Sequence, residues 1–143
     1  SKGAKTLVNT MKNLGAKAFL ISGGFTFFSD RISCLLGFDS SFANELIIEG
    51  NTLTGELKEP ILGRKSKRSI LLKLCRERDV HASDVIAVGD GANDLDMIKE
   101  AGLGVSYYGQ RVLEEASDFK IRYSDFRALL YCQGICESDF VLE

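Results

Sequence analysis

VIAVGDGANDLDM, residues Val85 to Met97, joins a short apolar run to a turn of small residues and three carboxylates, Asp90, Asp94 and Asp96, within seven positions. Val85 to Val88 is short and β-branched enough to predict a buried strand, and Asn93 ahead of LDMIKEAG predicts a capped helix start. Asp90 then falls at the carboxyl end of a strand, where open α/β sheets place their ligands. Gly89 and Gly91 let the backbone turn tightly and bring amides close to a bound group. Two carboxylates ~5 Å apart at an effective dielectric near 20 repel by about 3 kcal/mol, so the cluster favours a cation. Oxygen-only ligands suit a hard ion, and Mg²⁺ fits one or two carboxylates completed by water and phosphate. Asp96 reads as a first-turn residue favoured by the helix dipole. For Asp94 that reading and support of a cation both stand.

Upstream, Leu7, Val8, Met11 and Leu14 recur at helical spacing through Ala4 to Asn13, and Gly15 is a stop. Lys17 to Ile21 (KAFLI) predicts a strand that ends at Ser22-Gly23-Gly24, after which FTFFSDRISCLLGF returns to helical periodicity as far as Gly37. A strand passing through small residues into a helix can cradle phosphate, with Ser22 adding a hydroxyl and Gly23 a bare amide. Glycine turns after strands also occur for steric reasons alone. ANELIIEGNTLTGEL, from Ala43 to Leu57, alternates on either side of Glu49-Gly50-Asn51 and predicts a β-hairpin. A helix from about Ser66 to Arg78 turns Ile70, Leu71 and Leu74 inward. Arg64, Lys65, Lys67 and Arg68 crowd its start, where the dipole disfavours cations, so an anion or a distant carboxylate should answer them.

Past Met97, strands are expected at Leu103 to Val105 and Phe119 to Ile121, and helices at Gln110 to Ala116 and Ser124 to Gln133. Tyr107 and Tyr108 follow a strand end and read as packing or as the border of a site. His81 lies in a polar connection and receives no catalytic role. The alternation of strand and helix predicts an α/β fold, a mostly parallel sheet sandwiched by helices, with the hairpin as an insertion.

The chain has 143 residues, one domain's worth, and one core is expected. A net charge of −2 with scattered Lys and Arg provides no basic field for nucleic acid. No apolar run approaches the ~20 residues that span a bilayer, and SKGAKTLVNT lacks the apolar core of a secretory signal. The expected location is the cytoplasm. Cys34 and Cys75 fall in amphipathic helical patterns and read as small buried hydrophobes. Cys132 and Cys136 lack the companions that a zinc site needs. Residues 137 to 143 read as a loosely ordered tail after a core of residues 1 to 136.

Strand-SGGF-helix, a lysine at a later helix start and strand-GDGANDLDM-helix, in this order, resemble the second, third and fourth motifs of the haloacid dehalogenase superfamily of phosphohydrolases, and within it the phosphoserine phosphatases. The match runs from about Gly3 to Leu130 and includes the hairpin. The resemblance implies a Rossmann-like core. It implies that Asp90 ligates Mg²⁺ and that Asp94 supports the ion through its water shell or from behind the ligands. It further implies that Ser22 and Gly23 bind phosphate, that Lys67 rather than Lys65 neutralises it, and that Asn93 contacts the phosphate or the attacking water. Such types recur because phosphoryl transfer puts charge on oxygens that a metal, an ammonium and backbone amides can stabilise.

The family's first motif, an Asp-x-Asp pair at the end of the first strand, has no counterpart here, and neither has the helical cap that reads the substrate. Asp94-Leu95-Asp96 has the spacing but opens a helix. The chain therefore resembles the C-terminal part of a phosphatase, whose missing central strand should come from a removed N-terminal segment or another copy. The implied reaction is hydrolysis of a small phosphomonoester, L-phosphoserine, through an aspartyl phosphate, the last step of serine synthesis. Two alternatives are a phosphatase or phosphotransferase for another small phosphomonoester, and a non-catalytic module that binds phosphate and Mg²⁺.

Overall fold

The computed structural model describes residues 1 to 142, which form two compact units. The first comprises residues 1–61 and the C-terminal residues from 124; the second is Leu62–Tyr123.

In the first unit, α1 (Ala4–Asn13) follows Gly3, whose φ of 75° only glycine adopts without strain, and ends before Gly15 at φ 92°. It buries Ala4, Thr6, Val8 and Thr10. Strand β1 (Phe19–Phe25) runs into α2 (Thr26–Leu36), which Gly37 closes in the left-handed region. An unexpected strand, β2 (Ser40–Asn44), lies parallel to β1, with Phe19 opposite Ser40 and Ile21 opposite Phe42. The strand entry is clipped by Asp39, whose amide donates to the Ala18 carbonyl while its carboxylate accepts from the Ala18 amide, both at 2.8 Å.

The expected hairpin is β3 (Leu46–Glu49) and β4 (Thr52–Leu57), antiparallel around Gly50 and Asn51. Both turn residues have positive φ, 52° and 69°, as a two-residue hairpin turn matched to strand twist requires.

Helix α2 departs from the expected apolar burial. Its buried residues are Ser29 and Ser33, while Phe27, Phe28, Ile32 and Leu35 are exposed. Cys34 is exposed too, against expectation, because the helix meets β1 and β2 along its small seryl side.

The second unit begins with α3 (Arg64–Arg78), then β5 (Ile86–Gly89), a 3₁₀ turn (Ala92–Asp94), α4 (Leu95–Glu100), β6 (Leu103–Tyr107), α5 (Arg111–Ala116) and β7 (Phe119–Ile121). The strands form a parallel sheet in the order β5-β6-β7, joined by helical crossovers as parallel neighbours must be. Leu95, Ile98 and Leu113 make the core, with Ala116 packed on it. Gly104 permits α4 to approach β6, since a Cβ there would stand 2.6 Å from the Ile98 carbonyl oxygen. Cys75 is buried, as expected.

The last helix, α6 (Ala128–Cys132), belongs to the first unit and is shorter than the expected Ser124 to Gln133. Asp125 is the reason: its carboxylate turns onto the Arg127 amide at 2.9 Å and the Arg127 guanidinium, which holds the preceding residues in a turn. Two residues of the segment expected as a tail, Phe140 and Val141, make contacts with helices of the first unit. Phe140 is buried against Tyr131, and the Val141 amide donates to Thr10 Oγ1 at 2.9 Å. Among the described residues no helix is long and apolar enough to cross a membrane.

Candidate functional site

In the second unit β5 ends at Gly89, and the chain turns through Asp90 and Gly91 into α4. Asp94 is the centre of this turn. Its Oδ2 accepts from the amides of Asp90 at 3.1 Å and Gly91 at 3.2 Å, and its Oδ1 accepts from Lys67 Nζ at 2.5 Å. Both side chains are buried, 7% and 5% exposed. Asp94 thus spends its carboxylate on the turn and on Lys67, not as a cap for α4. Gly89 makes room for it: a Cβ at 89 would stand 2.6 Å from Asp94 Cγ and Oδ2.

Lys67 is delivered by α3, which is clamped to α4 by Arg64 on Asp96 at 2.6 Å and Arg68 on Glu100 at 2.7 Å. Each helix contributes residues four apart, hence from one face. Three of the four cations at the α3 start are therefore answered by carboxylates; Lys65 is exposed and, among the described residues, makes no ion pair. The hydrogen bond from Arg64 holds the Asp96 carboxyl below its ordinary range.

Asp90 is exposed, and among the described residues its carboxylate has no hydrogen-bond or ion-pair partner. Asn93 is exposed beside it and folds its Oδ1 back toward Gly91. Among the described residues no three His, Cys, Asp or Glu side chains are grouped to hold a metal. The donor set still fits Mg²⁺, which is held by one or two carboxylates and keeps its waters. Asp90 has the free carboxylate for that contact, and Asp94 already receives three donors on its two oxygens.

Two residues bordering this turn escape a sequence reading. The Gln110 amide donates to the Asp90 carbonyl at 2.9 Å, tying the loop after β6 to the Asp90 turn. Ser106, opposite Gly89 in the ladder, buries a hydroxyl that has no hydrogen-bond partner among the described residues. Tyr108 is exposed and held at φ 49°, with its ring 4.9 Å from that of Tyr107.

Ser22 and Gly23 belong to the first unit. The strand does not end at Ile21 as expected but resumes pairing at Phe25, opposite Asn44 of β2, with Ser22 to Gly24 bulged between the paired residues. Its register slips between Ile21 and Phe25. There the Gly24 amide donates to Ser22 Oγ at 3.0 Å, and Asn44 Nδ2 donates to the Gly23 carbonyl at 2.9 Å. A serine oxygen that accepts still has its own proton to donate.

A family model described as haloacid dehalogenase-like hydrolase matches residues 1–102. The chain belongs to that family. It is similar to the phosphoserine phosphatase of Archaeoglobus fulgidus, 42% identical over 121 residues that make 85% of this chain and 35% of that protein. It is 36% identical to the phosphoserine phosphatase of Methanocaldococcus jannaschii over 130 residues, 91% of this chain and 62% of that one. A solved phospho-aspartyl intermediate analogue of phosphoserine phosphatase matches with a TM-score of 0.86 at 35% identity, covering 95% of this chain and 64% of the other. The chain spans between about a third and two thirds of these relatives. The resemblance read from SGGF and GDGANDLDM is borne out, as is the α/β fold with parallel strands.

Proposed function

We propose that this chain is the greater part, residues 1 to 136, of the catalytic core of a Mg²⁺-dependent phosphomonoesterase. The observation that carries the reading is the buried Lys67–Asp94 pair beneath a turn whose Asp90 carboxylate is left free. An ammonium has three donors, and Asp94 takes one from Lys67, which retains the capacity to hold an anion. Asp90 would hold the ion and Asp94 support it. Mg²⁺, when bound, screens phosphate from an attacking carboxylate and stabilises its developing charge. Ser22 and Gly23 bind phosphate oxygens by hydroxyl and amide, Lys67 neutralises them, and Asn93 contacts phosphate or the attacking water.

The substrate proposed is L-phosphoserine, which places the reaction last in serine synthesis and in the cytoplasm; the similarity to phosphoserine phosphatases supports it. The nucleophile is a carboxylate outside this chain, on a strand contributed by an upstream segment. It would form an aspartyl phosphate, splitting hydrolysis into two easier steps. A second reading, a non-catalytic module that binds phosphate and Mg²⁺, takes precedence if a longer form also carries no upstream Asp-x-Asp.

The test compares this 143-residue chain with a longer form carrying an upstream Asp-x-Asp, assayed on phosphoserine with and without Mg²⁺. The longer form should turn over phosphoserine only with Mg²⁺ and lose that activity on Asp90→Asn. The chain alone should release no phosphate. Turnover by the chain alone, or full activity of the Asp90→Asn long form, defeats the assignment.

A further inference from the structure

Asn44 ends β2 with 4% of its surface exposed, an uncommon place for an amide unless the group is put to use. Between the paired residues Ile21–Phe42 and Phe25–Asn44, β1 has Ser22, Gly23 and Gly24 while β2 has Ala43 alone. The Ser22–Gly24 backbone therefore leaves the ladder, and its peptide planes need another restraint. Asn44 Nδ2 donates to the Gly23 carbonyl at 2.9 Å. A trans peptide is planar, with its carbonyl and following N–H pointing opposite ways, so fixing the Gly23 oxygen fixes the Gly24 N–H. That N–H donates to Ser22 Oγ at 3.0 Å. The relay occupies a lone pair of the hydroxyl and leaves its proton for an acceptor elsewhere.

We propose that Asn44 is a positioning residue that aims the Ser22 hydroxyl at a bound phosphate through the Gly23–Gly24 peptide. The inference rests on the reading of Ser22 and Gly23 as phosphate-binding residues. It assigns a role in anion binding to a side chain that itself touches no phosphate.

The test titrates inorganic phosphate into the chain and follows the backbone amide resonances of Ser22, Gly23 and Gly24 in wild type, Asn44→Leu, Ser22→Ala and the double variant. Asn44→Leu keeps about the size, removes the donor to the Gly23 carbonyl and adds no charge against the anion. Wild type should give saturable shifts, and each single variant should bind phosphate about fivefold to tenfold more weakly, the scale of one lost hydrogen bond. The double variant should bind no more weakly than Ser22→Ala, because Asn44 acts through that hydroxyl; an ordinary loss of stability would add instead. If Asn44→Leu does not fold, Asn44→Ser takes its place in the cycle. Wild-type affinity in the Asn44 variant, or additive losses in the double, overturns the relay and leaves the phosphate reading intact. Wild-type affinity in Ser22→Ala, or no saturable shift in the unaltered chain, overturns both.

Discussion

Lys67 Nζ stands 2.5 Å from Asp94 Oδ1, with neither side chain more than 7% exposed. The two residues are 27 positions apart, so the pair fixes α3 against the turn between β5 and α4. Taking both charges out of water is tolerable because Asp94 also receives two backbone amides, which satisfy its second oxygen.

Asp94→Ala should therefore be more damaging than Lys67→Met. The first strands an ammonium and two amides, whereas the second leaves a carboxylate that still has two donors. Removing one partner of a buried pair costs ~3–5 kcal/mol, and Asp94→Ala should lie at the upper end. Urea unfolding measures both, and the double variant Lys67→Met/Asp94→Ala should lose less than the sum of the single losses. Single variants within ~0.5 kcal/mol of wild type, the range of inert surface changes, would show that the pair contributes nothing.

The two glycines around Asp90 should behave differently. A Cβ at Gly89 would overlap Asp94, whose carboxylate is held by three donors and cannot retreat. At Gly91 the Cβ would meet Asn93 Oδ1 at 2.6 Å, the far end of an exposed side chain that can swing away. Gly89→Ala should cost ~1–3 kcal/mol by overpacking and Gly91→Ala markedly less. Equal losses in thermal unfolding would show that Asp94 is not rigidly seated.

Elements with a local signal were legible in the sequence. Ala4–Asn13 and the Gly50-Asn51 hairpin carry their own periodicity and turn chemistry, and both formed where expected. Strand β2 could not be read from SSFAN, which has little apolar content; β1 and the Asp39 clip make it a strand. On α2, periodicity located the helix but not the buried side, which is seryl. The same limit applies at the site. GDGANDLDM announced carboxylates, yet that Asp94 would turn from the helix start to Lys67 depends on α3 packing on α4. Asn44 and Gln110 were missed because each acts through a backbone carbonyl distant in sequence, and no motif records such a contact.

The C-terminal segment gives a third prediction. Thr10 is fully buried, and its hydroxyl accepts from the Val141 amide. Thr10→Val retains the shape and removes the acceptor, at a cost of ~1 kcal/mol. Hydrogen exchange at Val141 should accelerate while the exchange of hairpin amides is unchanged. Unaltered protection of Val141 would mean that Phe140 alone holds the segment.

Acid stability follows from the carboxylates paired with arginines. The hydrogen bonds from Arg64, Arg122 and Arg127 hold Asp96, Glu114 and Asp125 below their ordinary values of 3.8, 4.5 and 3.8. A depressed folded-state pKa means that the unfolded chain binds protons first as pH falls. The stabilisation is present in full above the ordinary carboxylate values, declines as pH drops past them, and is gone below the depressed folded values. The urea midpoint should thus be insensitive to these groups between pH 6 and 7, and fall on approach to pH 4 and below. Asp125→Asn removes one such group, so its curve should start lower at neutral pH and converge with wild type in acid. Asp125 accepts from the Arg127 guanidinium at 3.0 and 2.7 Å and from the Arg127 amide at 2.9 Å, so removal of its charge should be readable in this pair. Curves that stay parallel down to pH 3 would mean that the carboxylate makes no contribution through its charge.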